Sequence, residues 1–359
     1  MHKKAMRAYV MHGIGRAEVV DRPIPVPGPN SAVVRTTLAL VCTSDVHTIH
    51  GGLGEIVDRC LGHEAVGVIH SLGECVTGFK VGDRVAVNAV TPCFQCENCQ
   101  NGLSSQCGGM LGGYKFTFQK DGNMAEYFEV NDAKANLAPI PSDVSDEAAA
   151  YTTDMMSTGF IGAESADIPL GGSAAVFGCG PVGLMAVAAS RMLGAGLLIA
   201  VDGDDKRLAL AKEYGANVTI NFRTKDVIEA IMELTGGRGV DSAIEAVGTQ
   251  TTFENCIKAT CPGGTISNIG YHGSGDHVKI PLAEWGLGMS NKTIRTALCQ
   301  GGSARMKRLM TLLKNGRVDP TKMSTHYFNF EDVNQALNLM DTKEDGVIKP
   351  VIRFLNSSE

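Results

Sequence analysis

The chain has 359 residues, of which 44% are hydrophobic and 19% charged, and its formal net charge is -6. That length exceeds what one hydrophobic core usually serves, so two domains are expected. The acidic balance leaves no basic surplus to neutralise phosphates, which sets nucleic acid aside as a partner. No apolar run approaches the roughly eighteen residues of a membrane helix, so no membrane partner is expected either.

The amino-terminal stretch MHKKAMRAYVMHGIG carries basic residues but neither a signal-peptide apolar region nor a transit-peptide composition, which reads as a cytoplasmic protein. Eleven dispersed cysteines without an export signal argue for reduced thiols rather than a disulfide framework. The first 150 residues or so run as short β-type segments broken by turn residues, among them AVVRTTLAL, EAVGVIHSLG and GDRVAVNAV. This texture predicts a β-rich, partly barrel-like unit.

After TTDMMSTGF the pattern changes to AAVFG, PVGLMAVAASRML, GLLIAVD and KRLALAKEYGA, which alternates strand, helix, strand, helix. Such alternation predicts a parallel sheet with covering helices. A helical SARMKRLMTLLKNG and a strand-like GVIKPVIRF close the chain and could rejoin the first unit.

The alternating region holds FGCGPVG, with Gly178, Gly180 and Gly183 placed between a strand and a helix. In a dinucleotide site the first glycine makes the tight turn, the second lets a pyrophosphate approach the backbone, and the third seats helix on strand. Pro181 and Val182 open the helix whose amino terminus faces the phosphates. Nineteen residues beyond Gly183, Asp202 ends the next strand, where a carboxylate can accept both adenine-ribose hydroxyls and repel a 2′-phosphate. NAD is therefore expected over NADP, since no arginine stands paired to this acidic turn in the sequence. Asp204, next along, reads as the cap of the following helix.

A second signal lies in the β-rich part. Cys42, Ser44 and His47 in VCTSDVH, His63 and Glu64 in LGHEAVG, and Asp154 in TTDMMSTG supply cysteine, histidine and carboxylate. A catalytic zinc uses three such ligands and keeps one position open. Between them, TPCFQCENCQNGLSSQC at 91–107 packs Cys93, Cys96, Cys99 and Cys107 into a polar run. Four thiolates so spaced can close tetrahedrally on one structural zinc; a redox Cys-x-x-Cys pair and unligated thiols are the competing readings.

Taken together, Gly62-His63-Glu64-x-x-Gly67, Cys42-x-Ser44-x-x-His47, the clustered cysteines and FGCGPVG resemble the zinc-containing medium-chain alcohol dehydrogenases along essentially the whole chain. CTSDVHT, CLGHEAVG, GGMLGGYKF, TTDMMSTGF and NIGYHGSGD narrow the resemblance to the microbial secondary-alcohol dehydrogenases. The resemblance implies an α/β protein with a GroES-like β-rich catalytic domain over 1–158 and 299–359 and a Rossmann doubly wound parallel-sheet domain over 159–298.

It also implies a catalytic zinc on Cys42, His63 and Asp154 with Glu64 beside it, a structural zinc on the four clustered cysteines, and a homotetramer. Ser44 would take the substrate hydroxyl proton and His47 would pass it to solvent. Thr43, Thr158, Arg207, Ile269 and Tyr271 would contact the cofactor, and Ala89, Val90, Tyr114 and Leu298 would wall a small alkyl pocket. The implied reaction moves hydride between small secondary alcohols, such as 2-propanol and 2-butanol, and NAD. A polyol or threonine dehydrogenase is the enzymatic alternative, and an NAD-binding structural protein the non-enzymatic one.

Overall fold

The computed structural model describes residues 5–354; the first four residues of the amino-terminal stretch read above lie outside them. The chain divides into two compact units, one of residues 1–157 with 299–359 and one of residues 158–298. The second unit thus begins one residue earlier than the boundary set from the sequence, at Thr158.

In the first unit a seven-stranded sheet runs Ser324–Asn329, Lys349–Arg353, Ala32–Leu40, Ala65–Leu72, Arg84–Val87 and Leu137–Pro139, with Tyr127–Val130 also paired to Ala32–Leu40. The closing GVIKPVIRF therefore does return to the first unit, where Val351 lies opposite Leu40. A smaller sheet pairs Ala5–Gly13 with Arg16–Pro23 and Arg59–Cys60. Val34, Ala39, Ile69, Val85, Val87, Phe128 and Leu137 form part of the core of this unit. The β-branched and aromatic side chains among them suit a pleated sheet that is buried on its inner face.

The second unit is a parallel sheet in the order Val218–Asn221, Leu197–Asp202, Ser173–Phe177, Val240–Glu245, Thr260–Asn268, Thr293–Thr296. The order reverses between Ser173–Phe177 and Val240–Glu245, and ligands of open α/β sheets sit outside the carboxyl ends of the strands at such a switch. The helices Pro181–Met192, Asp205–Glu213, Val227–Leu234 and Gln250–Ala259 follow the first four of the sheet's strands in chain order, as the alternating pattern requires. Strand interiors such as Ala175, Ile199, Val201, Ala243 and Ile266 are buried, which explains their continuous apolar runs.

Candidate metal centres and cofactor turn

The helix Thr43–Ile49 starts from Cys42, which keeps an extended backbone and caps the helix. Asp45, third in the helix, accepts the Cys42 amide on Oδ2 at 2.9 Å, a capping box that also sets an acid where the helix dipole favours it. Its other oxygen, Oδ1, lies 3.2 Å from His63 Nδ1. One carboxylate therefore bonds the cysteine's backbone and lies beside the imidazole's Nδ1, leaving Nε2 directed away from it.

Around that Nε2 stand Glu64 Oε1 and Asp154 Oδ2, each at 3.6 Å, and Ser44 Oγ at 3.3 Å. One donor atom from each of Cys42, His63, Glu64 and Asp154 falls within 4.8 Å of all the others. Asp154 is carried by a turn anchored through its neighbour, since the Ala89 amide donates to Thr153 O at 2.9 Å. Tyr114 packs edge-on to the His63 ring at 5.2 Å. Ala89 and Val90 are buried. Leu298 ends the other unit.

Burial alone would lower the His63 ring, but Tyr114, Asp45 and Asp154 outweigh it and hold it well above its ordinary value. Glu64 is pushed up by burial and by Asp154, against the pull of Lys349 and His63. A half-buried sulfur, a buried imidazole nitrogen, a buried carboxylate and a half-buried one converge here, and zinc accepts that donor set. His47 lies at the exposed end of the helix; partial desolvation, Lys343 and His50 lower its pKa, with Asp341 opposing. Thr43 Oγ1 accepts from Lys343 Nζ at 3.0 Å.

Two residues of this centre escaped the sequence reading. Asp45 had a local signal, an acid three residues after a helix-starting Cys42. Lys349 sits fully buried and donates to the equally buried Glu64 Oε1 at 2.8 Å. Its signal was a cation among apolar residues in GVIKPVIRF, which needs a partner if that strand is internal. Burial would lower the Lys349 ammonium, but Glu64, Cys42 and Asp154 hold it above its ordinary value.

In the cysteine lobe, Cys93, Cys96, Cys99 and Cys107 also bring their sulfurs within 4.8 Å of one another. Four sulfurs on one tetrahedral zinc would lie roughly 3.8 Å apart, and Cys93 and Cys107 stand at 3.5 Å. Backbone amides point at the sulfurs: Gly108 to Cys96 at 3.3 Å, Cys96 and Gln95 to Cys93 at 3.4 Å, Cys93 to Cys107 at 3.3 Å. Donors from the Cys99 and Gly108 backbone bring the Cys96 thiol down to about 6, whereas burial pushes Cys99 up to about 12. All four are free thiols. A turn that stabilises some thiolates and crowds others fits a closed metal site, because a cation relieves the crowding.

In the second unit Gly178 adopts φ +93°, and a Cβ on Gly183 would lie 1.8 Å from Gly178 O. The space around Gly180 is open for about 4 Å, and Pro181 begins the helix Pro181–Met192. Each glycine thus has the property a dinucleotide turn asks of it. Asp202 accepts from Cys179 N at 2.6 Å, Gly203 N at 2.8 Å and Asp204 N at 3.0 Å. These bonds tie the acid to the Gly-rich turn. Asp204 caps the helix Asp205–Glu213 through the Lys206 and Arg207 amides, as expected.

One expectation needs correcting here. No arginine stood paired to this turn in the sequence, yet Arg223 reaches it: a Cβ on Gly203 would lie 2.9 Å from Arg223 Nε. Arg223 follows the next strand, so only the parallel pairing of Val201 with Ile220 and Asp202 with Asn221 brings it back. Tyr271 is exposed, and Ile269 packs against Gly162.

A sulfur, imidazole and carboxylate cluster in a GroES-like unit, joined in one chain to a parallel-sheet unit with a Gly-rich turn, defines a zinc-binding dehydrogenase. Family models agree: residues 28–142 match the alcohol dehydrogenase GroES-like domain and residues 181–315 the zinc-binding dehydrogenase domain. The chain belongs to the zinc-binding medium-chain alcohol dehydrogenases. It is 46% identical to an NADP-dependent isopropanol dehydrogenase of Thermoanaerobacter brockii, over 97% of this chain and 99% of that protein. An alcohol dehydrogenase of Cupriavidus necator is 43% identical over 97% of this chain and 98% of its own length. Among solved structures, the apo zinc-dependent alcohol dehydrogenase 2 from Streptococcus pneumonia superimposes with a TM-score of 0.89 at 33% identity, covering 99% of this chain and 100% of that one. Among the described residues, no helix is long and apolar enough to cross a membrane.

Proposed function

We propose that this alcohol dehydrogenase oxidises small secondary alcohols such as 2-propanol and 2-butanol to ketones, reversibly, with NAD as hydride acceptor. The observation that carries the reading is the convergence of Cys42, His63, Glu64 and Asp154 beside Ser44. A zinc on Cys42, His63 and Asp154 would supply Lewis-acid stabilisation of the developing alkoxide. Ser44 Oγ accepts the hydroxyl proton, and His47, lowered toward its neutral form, takes protons out to solvent. Asp45 lies beside His63 Nδ1, and Lys349 compensates the buried Glu64 so that it and the half-buried Asp154 can flank one cation. Ala89, Val90 and Tyr114 restrict the alkyl groups. The clustered cysteines hold the second, structural zinc.

For the cofactor, Asp202 favours NAD by accepting ribose hydroxyls and repelling a 2′-phosphate. A second reading, NADP, is favoured by Arg223 beside Gly203 and by the Thermoanaerobacter brockii relative, an NADP-dependent isopropanol dehydrogenase. Initial rates followed at the nicotinamide absorbance with 2-propanol, ethanol and sorbitol, each with NAD and NADP, test both choices. The expectation is a higher kcat/KM for 2-propanol than for ethanol or sorbitol, with NAD ahead of NADP. Ethanol equal to 2-propanol sinks the substrate reading; NADP ahead of NAD assigns the ribose end to Arg223.

A further inference from the structure

We propose that Glu245 is the positioning residue of the dinucleotide site, its buried carboxylate locking together the three loops that leave the carboxyl edge of the parallel sheet. Glu245 ends the strand Val240–Glu245 at the point where the strand order reverses, and it is completely buried. Its Oε1 accepts from Val247 N at 3.0 Å, Gly248 N at 2.8 Å and Thr252 Oγ1 at 2.6 Å. These bonds fold residues 246–249 into a tight turn before the helix Gln250–Ala259.

That turn lies directly against the Gly-rich loop. A Cβ on Gly178 would meet Val247 Cγ2 at 2.4 Å, and one on Gly183 would come within 3.5 Å of Ala246 Cβ. The Ala246 amide also donates to Phe177 O at 3.0 Å. On its other side the Glu245 carbonyl accepts from Ile269 N at 2.9 Å and Gly270 N at 3.0 Å. A Cβ on Gly270 would strike Glu245 Oε2 at 2.1 Å, and one on Gly248 would strike Tyr271 O at 2.0 Å. Both loops are therefore closed down onto the carboxylate, with glycine at each point of approach.

His272 and Asn268 complete the far side. His272 Nε2 lies 2.8 Å from Asn268 Oδ1 and 3.8 Å from Glu245 Oε2, and Asn268 Nδ2 donates to Gly270 O at 3.0 Å. Residues 178–183, 246–249 and 269–272 thus form one bonded assembly, and Glu245 is its only charged hub fully out of water among the residues named. Removing the acceptor frees the Val247 and Gly248 amides and lets the turn drift from Gly178. Dinucleotide affinity falls, while the zinc ligands, all in the other unit, are untouched.

The inference rests on the dinucleotide reading of the Gly-rich turn, and the experiment separates the two. NADH and NADPH are titrated into zinc-loaded protein by nicotinamide fluorescence, giving Kd without turnover, and KM for NAD is compared with kcat in wild type, Glu245→Ala, Glu245→Gln and Thr252→Ala. Glu245→Ala should weaken NADH binding and raise KM for NAD by at least about tenfold, with kcat at saturating NAD within about threefold. Glu245→Gln keeps an acceptor at Oε1 and should restore binding to within about threefold of wild type. Thr252→Ala, which loses one of the donors, should fall between and covers the case in which the alanine variant does not fold. Wild-type protein that binds neither nucleotide overturns both readings. Normal binding in wild type with Kd within about twofold in Glu245→Ala, or a glutamine variant as weak as alanine, overturns this one alone.

Discussion

Lys349→Met should expose how strongly the buried ion pair holds the catalytic unit. Lys349 and Glu64 are both inaccessible to solvent and meet at 2.8 Å, and Asp154 adds a second negative charge that raises Glu64 further. Methionine fills the volume of the lysine stem but leaves Glu64 uncompensated. Breaking one side of such a pair costs about 3–5 kcal/mol. The first unit has about 220 residues, so its unfolding entropy is about 0.45 kcal/mol per kelvin and the expected fall in Tm is about 7–11 °C. The measurement is scanning calorimetry on chelator-treated protein. Adding zinc should recover part of the loss, because a cation beside Glu64 replaces the missing ammonium. Glu64→Gln placed on top of Lys349→Met should also recover stability, since a neutral amide no longer carries a buried charge. A Lys349→Met protein melting within about 2 °C of wild type, or a double variant less stable than the single one, would refute the compensation argument.

The two metal centres should separate by mutation. Asp154→Ala should abolish turnover at unchanged fold, whereas Cys99→Ser should lower Tm and zinc content with turnover per folded subunit reduced much less; metal analysis beside melting and rates checks this, and a Cys99→Ser protein with unchanged zinc and Tm would return the lobe to the redox reading. Lys120 offers a pH test, because burial lowers its ammonium to about 7 from 10.5 in the unfolded chain, with Lys115 adding to the fall and Glu129 and Asp132 opposing it. Between those values the unfolded chain binds the extra proton, so stability rises with pH across that window and the cost is fully present below it. Lys120→Met removes this slope. Urea midpoints at neutral and alkaline pH decide, and parallel pH dependences in the two proteins would count against a half-buried, easily deprotonated amine.

Much of this molecule could be read from its sequence because its signals are local. FGCGPVG, the cysteine spacing of 91–107 and the alternation of strand and helix each lie within a short window, where backbone conformation and hydrogen bonding act over a few residues. Asp202 and Asp204 were legible for the same reason, each being placed by the end of one strand. What escaped was set by pairing across distance. Lys349 meets Glu64 across 285 positions, and nothing in the spacing of either residue encodes that meeting. Arg223 comes beside Gly203 only through the register of neighbouring parallel strands. Glu245 reads locally as a polar residue ending a strand, and its role follows from the strand reversal beside it. Lys349 and Glu245 have a common physical basis. A charge in an otherwise apolar strand must either face water or find a counter-group or a set of donors, because leaving it buried alone costs several kcal/mol. GVIKPVIRF and VDSAIEAVG both carry such a charge at a position their neighbours predict to be internal. The useful inference from sequence is therefore that the partner exists, and the topology then supplies its identity: a carboxylate from an adjoining part of the unit for the lysine, and a ring of backbone amides with a threonine hydroxyl for the glutamate.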